Sequence, residues 1–134
     1  DRSEAINVYR QLAEKQPENA IALNNLAYLE HQEGMLDAAE EHARQALEIV
    51  PQAPEIADTL AQVLIDKGET EDAKAIYDSV MSEQVRSDEI YLNYVELLLK
   101  MDLTPLAKRR LADRIFDAAD SKARVAELEQ QYNL

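Results

Sequence analysis

The chain has 134 residues, with 27 acidic and 14 basic side chains, a net charge of −13, two glycines, four prolines and no cysteine. This length suffices for one buried core. The negative surface repels phosphate backbones and anionic lipid, which argues against nucleic acid and direct membrane contact, and the lack of cysteine removes disulfides, thiol catalysis and thiolate-bound metal. Abundant Ala, Leu, Glu and Gln, with no alternating apolar runs, predict helix and no strand.

In chain order, the first predicted helix covers residues 3–16, with Ile6, Val8, Tyr9 and Leu12 as its apolar residues. A second covers residues 20–33, with an apolar stripe at Ile21, Leu23, Leu26, Ala27 and Leu29. Gly34 ends it, because glycine takes left-handed backbone at low cost. Residues 37–50 form the next helix, with Ala39, Ala43, Ala46, Leu47 and Val50 inward, and Pro51 closes it. The same pattern returns as residues 55–67, Gly68 and residues 70–83. The following unit departs from it: Asp102 stands in the glycine position, and Arg114 stands where a small residue is expected. Thr104 as N-cap and Pro105 in the first turn open a helix over residues 105–118. Asp120 or Ser121 caps a last helix ending near Gln131, with Val125 and Leu128 inward; residues 116–122 read equally as a break or as continuous helix.

The units recur at a fixed period. Ala5, Ala39, Ala73 and Ala107 are each 34 residues apart, as are Gly34 and Gly68, and Pro17 and Pro51 with Val85 next in line. Leu26, Leu60 and Tyr94 share the register, as do Ala27, Ala61 and Val95, and Tyr9, Ala43, Tyr77 and Leu111. Such self-similarity marks a repeat architecture. The small residues Ala27, Ala39, Ala61 and Ala73 let two helix backbones approach closely.

The period, the small–large pattern, the inter-helix glycine and the terminal proline resemble the tetratricopeptide repeat family. Ala22-Leu23-Asn24-Asn25-Leu26-Ala27, followed by Gly34, Ala39, Ala46 and Pro51, is similar to the family pattern almost throughout; the usual first-helix tryptophan is Leu23, Ala57 and Tyr91 here. The resemblance covers residues 1 to about 115. It implies an all-α fold, a right-handed α-solenoid of antiparallel helix hairpins with a C-terminal capping helix. Residues 1–134 then form a single segment: 1–19 the second helix of a truncated repeat, 20–53 and 54–87 repeats, 88–119 a divergent repeat and 120–134 the cap. Further repeats are expected before Asp1 in a longer parent chain, with the first helix frayed or buried between chains and the array ending at the cap.

The resemblance also implies a peptide-binding groove along the first helices, lined by Asn24, Asn25, Tyr28, Glu55, Asp58, Gln62, Ile65, Asp66, Glu89, Leu92, Asn93 and Glu96, with Ile21, His31, Leu99 and Lys100 beside them. Asn25 and Asn93 fall where the family often places an asparagine; that side chain can pair with a peptide backbone as donor and acceptor, or bond locally. Family co-chaperones hold a C-terminal carboxylate with groove lysines and arginines, but Lys100 is the only such base among these positions, which argues against that role. The acids favour a basic or mixed basic–apolar protein or peptide, with Tyr28, Ile65, Leu92 and Leu99 as apolar contacts.

Nothing in the sequence points to catalysis, a cofactor or a metal. His31 and His42 lack metal-ligand spacing and read as solvated surface residues, and the carboxylates lie on polar helix faces. Two isolated glycines make no phosphate loop, and no serine sits in a nucleophile elbow. The charge is uneven: residues 1–99 carry 21 acids and 7 bases, residues 100–124 carry 4 acids and 7 bases, and the basic stretch reads as a solvated helix face more than a docking site. The chain is thus expected to be a non-catalytic protein-interaction module. The alternative is a structural scaffold or self-association segment, a homo-oligomer through the first helix, in a style similar to bacterial tetratricopeptide proteins including envelope-associated ones. No apolar run is long enough to span a bilayer, and both cytoplasmic and extracytoplasmic settings stay open.

Overall fold

The computed structural model describes residues 1–82 and 85–134. Among these the regular elements are all α-helices, and they fall into two compact units, Asp1–Val80 and Met81–Leu134.

The first unit contains α1 (Arg2–Lys15), α2 (Ala20–Gln32), α3 (Leu36–Ile49), α4 (Pro54–Asp66) and α5 (Thr70–Val80). Local chemistry starts these helices. Asp1 accepts from the Ser3 amide at 2.7 Å and Asn19 from the Ala22 amide at 3.0 Å, each satisfying an orphan donor. Pro54 opens α4 with a preset φ. Gly34 and Gly68 end α2 and α4 at φ +76° and +80°. The amide of the next residue reaches back in both turns, Met35 to the Glu30 carbonyl and Glu69 to the Leu64 carbonyl, each at 2.8 Å. Alanine makes the packing close: Ala27, Ala39, Ala43, Ala46, Ala57, Ala61 and Ala73 have no exposed surface. α2 packs on α3, α4 on α5, and α1 on α2. Lys67, at the end of α4, donates to Asp37 at 2.8 Å and Glu40 at 2.7 Å on α3, and this pairing holds the Glu40 carboxyl below its ordinary range.

The second unit contains α6 (Asp88–Lys100), α7 (Thr104–Ala112) and α8 (Ala119–Gln131). Ser87 caps α6 by accepting from the Ile90 amide at 3.2 Å. The turn after α6 repeats that of the first unit: Asp102 adopts φ +60° and the Leu103 amide bonds the Leu98 carbonyl at 2.9 Å. Aspartate tolerates this conformation better than most residues with a Cβ. The core is α6 itself, with eight of its thirteen residues buried, together with Val85, Ala107 and Leu128.

Several expectations change. Thr104 is the first residue of α7 rather than its cap, and α7 ends at Ala112 instead of reaching residue 118. The cause is Arg114: its guanidinium turns to Asp88 at 2.9 Å and to the Val85 and Arg86 carbonyls at 2.7 and 3.0 Å, and stacks 4.7 Å from the Tyr91 ring. Residues 116–122 therefore contain a break. Neither Asp120 nor Ser121 caps α8; Ser121 donates to Asp88 at 2.7 Å instead. Val50 is exposed as the C-cap of α3. In α1, a continuous capped helix, Ile6 is buried but Val8 is 62% exposed. The expected end of the fifth helix at residue 83 lies outside the described residues.

Candidate protein-interaction surfaces

In the first unit the candidate residues sit on α2 and α4, which also touch each other. Ile21 and Tyr28 lie two turns apart on α2 and are 74% and 51% exposed, large apolar groups left in water. Asn25 is half-buried. Asn24 turns inward, and its Oδ1 is buried with no hydrogen-bond partner among the described residues. On α4, Glu55 and Asp66 are exposed, while Asp58, Gln62 and Ile65 are half-buried. Asp58 and Gln62 are drawn together by one buried hydroxyl: Tyr77 donates to Asp58 at 2.5 Å and accepts from Gln62 at 2.8 Å. Asp66 lies 2.6 Å from His31 Nε2. Clefts of about 470 and 260 Å³ open elsewhere, around Pro17, Gln45 and His42, and no candidate residue lines either. The candidate surface is a helix face, suited to a chain segment rather than a small molecule.

In the second unit the candidates lie on α6. Leu92 and Leu99 are only 1% and 2% exposed. They belong to the core and are not available as apolar contacts, because α6 is apolar around most of its circumference. Asn93 and Glu96 are brought together by Arg124 of α8, whose Nη2 donates to Asn93 Oδ1 at 2.8 Å and Glu96 Oε2 at 3.0 Å. Arg124 Nη1 reaches the Glu89 carbonyl at 3.3 Å, and Lys100 stands 3.4 Å from the second Glu96 oxygen.

Two family models, each described as the tetratricopeptide repeat, match residues 1–54 and 30–89, together about two thirds of the chain. The chain belongs to the tetratricopeptide repeat family. Solved structures bear out the fold. The crystal structure of MamA superposes with a TM-score of 0.73 at 16% identity, covering 82% of this chain and 64% of that one. A Pseudomonas aeruginosa pilF structure gives 0.71 at 18% identity, covering 93% and 59%. The chain spans less than two thirds of either. No curated protein matches it. Among the described residues no helix is long and apolar enough to cross a membrane.

Within this tetratricopeptide frame, sequence reasoning missed three features. The histidines are not simply solvated: besides the His31–Asp66 contact, His42 Nδ1 lies 2.6 Å from Glu30, whose side chain is 1% exposed. The repeat register holds the signal for Glu30, since 34 and 68 residues later the same position is Leu64 and Leu98, both fully buried. The basic stretch is not a wholly solvated face; Arg110, Arg114 and Arg124 are half-buried against carbonyls, carboxylates and rings. No sequence pattern forecasts Arg124, because its partners depend on where the break before α8 places that helix.

Proposed function

We propose a role in protein interaction or scaffolding, the general work of tetratricopeptide repeats, which the family match supports. We propose that the first unit takes a basic or mixed basic–apolar helix or peptide on the first-helix face of α2 and α4, without catalysis. The observation that carries this reading is Ile21 and Tyr28 exposed on α2, with the Glu55 and Asp66 carboxylates exposed on α4. The unit as a whole has 17 acids and 6 bases, so its field attracts cations. An apolar anchor in an acidic surround suits an amphipathic segment with lysine or arginine beside its apolar stripe. Asp58 is a poor recognition residue to alter, because it also accepts from Tyr77 inside the repeat.

The test uses three amphipathic peptides matched in apolar content, one basic, one neutral and one acidic, titrated by fluorescence anisotropy at low and high salt. The basic peptide should bind tightest, weaken with salt, lose binding to the Glu55→Lys/Asp66→Lys chain and bind the Tyr28→Ala chain more weakly. Equal binding of all three peptides, or no effect of charge reversal, removes the reading. The scaffold or self-association alternative is favoured by one observation, the 62% exposure of Val8 on α1. It predicts a concentration-dependent size that Val8→Glu abolishes.

A further inference from the structure

α8 is held mainly by polar contacts. Leu128 is its single buried residue, and nine of its thirteen residues are exposed. Against this small apolar contact stand Ser121 on Asp88 and the three bonds of Arg124 to Asn93, Glu96 and the Glu89 carbonyl. One guanidinium thus satisfies two side-chain acceptors and a carbonyl on a single face of α6, the chemistry by which an arginine recognises a polar, acidic helix surface. The same three residues are those the family register assigns to partner contact. Before α8, Arg114 and Phe116 stay tied to Tyr91 and α6, so the pivot is the exposed pair Asp117 and Ala118.

We infer that the Glu89–Asn93–Glu96 face of α6 is a receptor for an arginine-bearing amphipathic helix of a partner protein, and that α8 is its resident occupant, which the partner displaces. This rests on the reading above of the first-helix face of α2 and α4, extended to α6, that such a face takes a helix with lysine or arginine beside its apolar stripe. Charge complementarity argues for the occupant: a carboxylate, an amide oxygen and a carbonyl offer acceptors only, and arginine offers donors only. α8 shows the required pattern, with Arg124 followed at i+4 by Leu128. A tethered α8 competes at an effective concentration on the order of millimolar, so an untethered helix enters readily only when α8 is weakened. The contact is mostly polar and should open as salt rises.

The probe is a fluorescein-labelled synthetic peptide of residues 118–134, titrated by anisotropy into the full chain at low salt. The native chain is compared with the Arg124→Ala/Leu128→Ala chain, with circular dichroism reporting that the remaining helices persist. The weakened chain should bind the peptide at least tenfold tighter than the native chain. That gain should vanish when the peptide carries Arg124→Ala or the chain also carries Glu96→Gln. Should Leu128→Ala unfold α6 and α7, Arg124→Gln alone supplies the same comparison. Equal binding by native and weakened chains, or equal binding of the arginine-free peptide, overturns the proposal. Light scattering that shows the weakened chain pairing with itself while excluding the peptide makes a second copy the occupant, and also overturns it. Glu55→Lys/Asp66→Lys should leave peptide uptake on α6 unchanged, so the failure of one surface is separable from the failure of the other.

Discussion

One register position shows how differently the two units are held. Ala46 in α3, Val80 in α5 and Arg114 after α7 are 34 residues apart. In the first unit that position brings helix backbones together over a methyl or isopropyl group. In the second it carries a guanidinium that leaves the helix and fastens Asp88 and two carbonyls. Close packing depends on shape and is indifferent to salt, whereas a guanidinium anchor depends on partners and geometry. One repeat pattern therefore tolerates two means of cohesion, and each fails in its own way.

The comparison breaks most sharply if the residues are exchanged. Ala46→Arg forces an unpartnered charge into a site with no exposed surface, and the first unit should lose on the order of 4 kcal/mol or more, read as a collapsed urea midpoint. Arg114→Ala removes the anchor without overpacking; a loss of about 2–3 kcal/mol is expected, with faster amide exchange in α7 and α8 than in α2–α5. His42→Ala strands the buried Glu30 carboxylate and should cost about 1–3 kcal/mol. The pair Glu30→Leu/His42→Ile copies Leu64 and Ile76 from the next hairpin and should return stability to at least the native value in thermal melts. Gly68→Ala and Asp102→Gly sharpen the likeness between turns. A Cβ at Gly68 meets nothing within 4 Å, so the cost is backbone strain alone, about 1 kcal/mol, and Asp102→Gly should stabilise by about as much.

The smallest effect is in pH. The Ser121 hydrogen bond, with Arg114 beside it, lowers the Asp88 carboxyl below its ordinary 3.8 against the opposing effect of burial. A depressed carboxyl contributes stability above the unfolded value and loses it as pH falls through the folded one. The α8 amides should therefore gain exchange, relative to α6, only as pH drops below about 3.8, and Ser121→Ala should move that onset upward.

The hairpins were legible because their signals are local and periodic: two glycines, a run of alanines and a fixed spacing place α2, α3 and α4, and the start of α5, within a residue. Thr104-Pro105 likewise announces α7, but its end does not show, because Arg114 stops the helix through partners 26 to 29 residues away. Among candidate site residues, register alone set Leu92 beside Asn93 on a ligand face. Register carries no burial, and in a helix as apolar as α6 the stripe spreads past the positions the family assigns. Glu55 and Asp66 were plain, because a carboxylate on a polar stripe needs no distant partner to be solvated. Glu30 was hidden by the assumption that acids stay outside, though its own repeats name leucine for the place.

That leucine place has a consequence for assembly. A protein made of near copies risks pairing a helix with the wrong copy of its neighbour, since every α2-like surface resembles every other. Glu30 gives α2 an address. Docked on α3 it meets His42, but docked on α5 it would meet Ile76, the residue 34 positions later. The misdocked carboxylate would be stranded at the same penalty as in His42→Ala, about 1–3 kcal/mol. A single polar exception in an apolar series thus tells the chain which helix α2 should dock on.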